Sequence, residues 1–120
     1  MEKRVSRVEN YVVRSAIVTA SVSLSTGTPT TLLAGDTDYL LDLVQIYFAN
    51  NSGAATTVTL MDDGTSLHTF NIPVVTVEGV LYDFTVPWPQ STKGGRWYLD
   101  MPDITGTTID VKALFIKREK

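Results

Sequence analysis

Residues 56–72, TTVTLMDDGTSLHTFNI, read as a β-hairpin. Val58 and Leu60 point one way and Thr57, Thr59 and Met61 the other, the period-two alternation of a strand with unlike faces. Asp63-Gly64 sits where the chain must reverse, and Asp-Gly suits the positive φ angles of a tight hairpin turn. The return strand carries His68, Phe70 and Ile72 on one side. Pro73 ends it, because proline has no N–H to give to a ladder.

The same punctuation continues on both sides of the hairpin. Upstream, AIVTASVSLS places Val18, Ala20, Val22 and Leu24 on one face; TGTP is a turn, TTLLAG a short edge piece, and DYLLDLVQIYFAN the longest run. Downstream, VLYDFTV aligns Val80, Tyr82, Phe84 and Val86, PWPQSTKGG is irregular, and RWYLDM and TIDVKALFIK close the chain. Short alternating runs with turn signals every ~8–12 residues predict an all-β fold of about eight strands, an antiparallel two-sheet sandwich of jelly-roll type. Residues 1–14 are charged and mixed where the rest is rich in Thr, Val and Ser. They read as an N-terminal arm on a 15–120 domain. Val5, Val8 and Val12 in the arm have the spacing of a short amphipathic helix.

Composition agrees. A chain of 120 residues with 43% apolar side chains can build one core and has little room for a second. Its 17 threonines and 14 valines are β-branched and favour strands. With no cysteine there is no disulfide scaffold, thiol nucleophile or thiolate metal site, which fits a reducing cytoplasm. No run approaches the ~18 uncharged apolar residues of a membrane helix, and the N-terminus lacks an export signal's apolar core. Synthesis in the cytosol, with no membrane partner, is the expectation.

Charge is unevenly spread. Residues 1–14 carry +2, residues 15–92 hold seven acidic and no basic side chains, and residues 93–120 carry +2, which together give the net −3. An acidic body argues against nucleic acid as a partner. The basic ends, with Arg4, Arg7 and Arg14, could dock on an acidic partner or remain solvated.

Two runs are apolar on both faces. In YLLDLVQIYFA, unbroken alternation sets Val44, Ile46 and Phe48 against Leu41, Leu43 and Tyr47; in the last strand, Leu114 and Ile116 oppose Val111, Ala113 and Phe115. A sandwich hides one face of each sheet, so the second face needs cover from another subunit or from the arm folding back. A homo-oligomer with Leu41, Leu43, Tyr47, Leu114 and Ile116 at the subunit interface is the expectation.

Chemistry is sparse. The one histidine, His68, alternates with Phe70 and Ile72 as a structural residue would, and no G-x-S-x-G elbow exists. KGG at 93–95 lacks the context of a phosphate-binding loop; the Asp pair in MDDGTS reads as turn chemistry and that in GDTD as a solvated strand entry, rather than as calcium ligands. No catalytic residue, metal or cofactor is expected. Aromatics are the better lead. Trp88 lies between two prolines, and Trp97 and Tyr98 are adjacent, so one of that pair faces outward. Such rings mark interface hot spots and sugar-stacking platforms, or else fill a core.

LLDLVQIYFAN running into an Asn/Ser/Gly loop, the VTLMDDG hairpin, a strand leading to NIPV, and the closing TTIDVKALF together resemble small virion structural proteins of tailed bacteriophages, over about residues 30–117. The resemblance implies a jelly roll, often homotrimeric, that decorates or cements the capsid surface by binding the major capsid protein or another virion protein, assembled in the host cytoplasm. Other proteins of this look belong to head fibres or tails. The charged arm departs from that common core. Arg4, Arg7, Arg14, Trp88, Trp97 and Tyr98 are the candidate capsid or ligand contacts, and a receptor- or carbohydrate-binding module is the alternative.

Overall fold

The computed structural model describes residues 16–74, 79–104 and 108–119. Eight strands run in chain order: β1 (Ile17–Leu24), β2 (Thr30–Leu33), β3 (Leu40–Asn50), β4 (Thr56–Asp62), β5 (Thr65–Ile72), β6 (Val80–Trp88), β7 (Trp97–Asp100) and β8 (Ile109–Arg118). They form two four-stranded antiparallel sheets, ordered β1-β8-β3-β6 and β2-β7-β4-β5. Only the β4–β5 hairpin joins hydrogen-bonded neighbours directly; every other connection changes sheet. That is jelly-roll connectivity, as the turn spacing predicted. The hairpin turns on Asp63 and Gly64 at φ 46° and 98°, both in the left-handed region that a two-residue turn of this hand requires.

The core lies between the sheets. Leu43, Ile46, Phe48, Val111 and Phe115 of the first sheet meet Val58, Leu60, Phe70, Trp97 and Leu99 of the second. Phe48 and Phe70 stack across the gap at 5.2 Å, and Trp97 lies 5.7 Å from Phe115. Trp97 is fully buried, and its Nε1 donates to the Leu41 carbonyl at 2.7 Å, which satisfies the one polar atom that its burial would otherwise strand.

Alternation fails in the longest strand, β3. Leu43 pairs with Phe115 and Gln45 with Leu114, so two steps on β3 match one on β8 and Val44 is the extra residue of a β-bulge. The bulge flips the phase. Leu41 and Leu43 point into the core before it, Ile46 and Phe48 after it, and Tyr47 is turned outward. The expected outward placement of Leu41 and Leu43 is therefore corrected: they are 3% and 0% exposed. A shift of one residue is enough, because side-chain direction has period two.

A polar clasp closes one end of the sandwich. Asp42 accepts from Arg118 Nε at 2.6 Å and Nη2 at 3.1 Å and from the Gln90 amide at 2.9 Å. The Gln90 side chain accepts from the Leu41 amide at 2.8 Å and donates to the Gly95 carbonyl at 2.7 Å. Asp62 takes both the amide and the hydroxyl of Ser91 at 2.9 Å. Buried Asp42, Asp62 and Gln90 thus hold the irregular segment between β6 and β7 against the strand ends.

Candidate functional site

Two surfaces collect the side chains that sequence reasoning singled out. The first is the outer face of the β1-β8-β3-β6 sheet. Register places Ile17 beside Ile116, Thr19 beside Leu114 and then Gln45, and Ser21 beside Lys112, Tyr47 and Leu81. Leu114, Ile116 and Tyr47 are half-buried, while Ile17 and Leu81, at the two margins, are 44% and 53% exposed. The middle of this face is a shallow groove of about 580 Å³ floored by Gln45, Tyr47, Lys112 and Leu114. Tyr47 is fixed there because its hydroxyl accepts from the Gly79 amide at 3.0 Å. Three of the five expected interface residues, Tyr47, Leu114 and Ile116, therefore share one surface, and Leu41 and Leu43 do not.

The second surface is the side where edge strands β5 and β6 face each other. Among the described residues no strand closes the sandwich there, and a chain of rings does. Phe84 meets Trp88 edge-on at 5.4 Å, Trp88 lies 5.8 Å from His68, His68 lies 4.7 Å from Phe70, and Phe70 lies 4.6 Å from Tyr82. His68 is exposed and Trp88, Phe84 and Tyr82 are half-buried, so the row presents a partly open aromatic strip. Nearby, β6 loses register with β3 between Asp83 and Trp88, and Val86 stands 78% exposed.

The remaining candidates separate. Trp97 is a core residue and cannot contact a partner. Tyr98 is half-buried on the outside of the other sheet, with the Arg96 guanidinium 4.0 Å above its ring and Arg96 Nη1 donating to the Thr31 hydroxyl. Trp88, Trp97 and Tyr98 thus do not form one platform. Sequence reasoning missed His68 and Phe84 as neighbours of Trp88. Phe84 and Trp88 share β6, and His68 of the preceding strand, β5, meets Trp88 because β5 and β6, though in different sheets, edge the same side. Arg4, Arg7 and Arg14, and the helical spacing of the arm, lie outside the described residues.

The acidic turns have local roles. Asp36 accepts from the Asp38 amide at 2.8 Å, an Asx-turn, and Asp63 occupies the hairpin turn. Among the described residues no three His, Cys, Asp or Glu side chains gather as a metal site would need. Asp110 accepts from Ser23, Asn51 and Thr108, and these hydrogen bonds, that of Ser23 foremost, lower its pKa against the opposing effect of partial burial.

Fold and surfaces together define a small jelly-roll sandwich with an apolar outer sheet face that no described residue covers and one aromatic side. No family model matches the sequence, and no curated protein matches it. Solved structures do share the fold. A chain of the cyanophage Pam1 capsid asymmetric unit superposes with a TM-score of 0.53 at 8% identity, over 83% of this chain and 82% of that one. The insecticidal delta-endotoxin Cry8Ea1 of Bacillus thuringiensis gives 0.52 at 9% identity, over 82% of this chain but 20% of the toxin. A weaker overlay, 0.46 at 11% identity, pairs 84% of the chain with 88% of carbohydrate-binding module CBM36 in complex with calcium and xylotriose.

Proposed function

We propose that the protein is a bacteriophage virion structural protein that decorates the capsid surface and cements it by bridging capsid subunits, binding rather than catalysing. The observation that carries this reading is the outer face of the first sheet. Ile17, Tyr47, Leu81, Leu114 and Ile116 line a surface with no second layer over it among the described residues. Apolar rows of this kind are covered in working assemblies, because leaving them wet forfeits about 25 cal/mol per Å². The capsid chain that shares the fold over four-fifths of both lengths supports the same reading. The protein acts as a homo-oligomer, a homotrimer in the resemblance to phage decoration proteins, with Tyr47, Leu114 and Ile116 in the subunit contact. The major capsid protein is the other partner, gripped by the loops and by Arg4, Arg7 and Arg14 of the arm. Assembly is in the host cytoplasm. Burial of roughly 1,600 Å² per contact is the size such bridges need. The test is rebinding: purified protein should cosediment with capsids stripped of it, and failure to do so at micromolar concentration refutes the assignment.

A second reading, a receptor- or carbohydrate-binding module on a head fibre or tail, is favoured by the aromatic strip of His68, Trp88 and Phe84. Binding to a glycan array that Trp88→Ala abolishes, in protein that does not bind capsids, would select it.

A further inference from the structure

The two sheets leave four edge strands, β1, β6, β2 and β5, and three carry features that discourage another strand from adding. β2 has four residues and a register break. β5 is offset by an irregularity opposite Leu60 and Met61, and its Asn71 carbonyl accepts from the Tyr82 hydroxyl. β6 contains Pro87, Asp83 and the bulged segment around Val86. Shortness, bulges, proline and charge are the ways natural sheets protect an edge. β1 has none of them. Its eight residues, IVTASVSL, contain no charge and no proline, and they pair with β8 in unbroken register from Ile17↔Ile116 to Leu24↔Ile109. On its other side no strand is present among the described residues.

Burial along this edge is also unfinished. Val18, Ala20 and Val22 point inward, yet each is only half-buried. Their β8 partners Phe115, Ala113 and Val111 are buried. A strand added beyond β1 would cover the row and pair with the edge backbone groups that no described strand meets.

We propose that β1 pairs antiparallel with β1 of a second copy, about a two-fold axis at Ala20. The segment is self-complementary in that register. Opposed residues in an antiparallel pair share a face, so Val18 meets Val22 of the partner strand on the inner side, and Thr19 meets Ser21 on the outer side. Every opposed pair is small, hydroxylic or β-branched, and no like charges meet. The contact joins two four-stranded sheets into one of eight. It uses the sheet edge and leaves the outer face free, so it links one decoration unit to the next and stands or falls apart from capsid binding.

The chain has no cysteine, so a single introduced thiol reports cleanly. In full-length protein under mild oxidation, Ala20→Cys places two thiols across the axis, within the ~4.5–5.5 Å Cα separation of opposed residues that a disulfide spans. It should give a covalent dimer on a non-reducing denaturing gel, whereas Asn71→Cys on the β5 edge should not. Adding Thr19→Lys, at an exposed position that the fold tolerates, puts cations into the contact and should cut dimer yield about tenfold or more. The inference is overturned by no Ala20→Cys dimer, which gives the edge to residues 1–14 or a capsid strand, by equal yields from Asn71→Cys, or by a yield that Thr19→Lys leaves unchanged. Loss of capsid binding with the cross-link intact would instead count against the decoration reading alone.

Discussion

Leu43→Ala separates two accounts of β3. If alternation ran unbroken, Leu43 would lie on the outer face beside Tyr47, and its truncation would cost at most about 0.5 kcal/mol, as surface changes do. With the bulge at Val44, Leu43 is 0% exposed, opposite Phe115 in the core. Removing three buried carbons then costs their transfer energy plus the cavity left behind, about 3 kcal/mol. Against a total stability of about 5–15 kcal/mol for a domain this size, that is a large fraction. It corresponds to a fall in melting temperature of about 10 °C. Urea unfolding followed by intrinsic fluorescence gives the number directly, with an unchanged m-value as the sign that the folded state is otherwise intact. Tyr47→Ala, on the half-buried outer side, should cost about 1 kcal/mol or less. A Leu43→Ala variant as stable as the parent, or one less perturbed than Tyr47→Ala, would refute the bulged register.

Gly35→Ala would set a Cβ 2.0 Å from the Gly94 carbonyl oxygen and 2.6 Å from that of Gly95, both backbone atoms, so the segments must part; thermal melts should show a loss of about 3 kcal/mol. Asp42→Ala should cost about 2 kcal/mol because it strips the Gln90 amide of its buried acceptor, whereas Arg118→Ala, whose side chain is 42% exposed and screened by solvent, should cost less than about 1 kcal/mol in the same urea assay. The pKa of Asp110 is depressed in the folded state, so its contribution is present above its ordinary value of 3.8 and is lost as pH falls through the lower folded value. Asp110→Asn should therefore flatten the acid limb of a stability-versus-pH profile and leave its alkaline limb unchanged.

Much of the fold was legible because local chemistry and global topology agree. Asp63-Gly64 names its own turn, and Val58, Leu60, Phe70 and Ile72 face the core as alternation requires. What alternation could not show is the extra residue in β3. Val44 is as apolar as its neighbours, and nothing in LLDLVQIYF marks a change of phase except the polar Asp42, which is buried by a clasp from residues 90 and 118. The site was legible by parts. Tyr47, Leu114 and Ile116 were placed on one outward surface, while Trp97 went to the core, since adjacency to Tyr98 says only that the two point oppositely. Phe84 and Trp88 are neighbours on one strand, but the contact of His68 with Trp88 depends on which strands edge the same side of the sandwich, a tertiary fact with no local signature.

The most direct test of a cementing role is mechanical. Genome-filled particles with and without the protein can be heated while DNA release is followed by dye fluorescence. Cementing by new contacts across capsid subunits predicts release several degrees lower from particles that lack it, restored on adding the purified chain. Identical release curves would contradict that role.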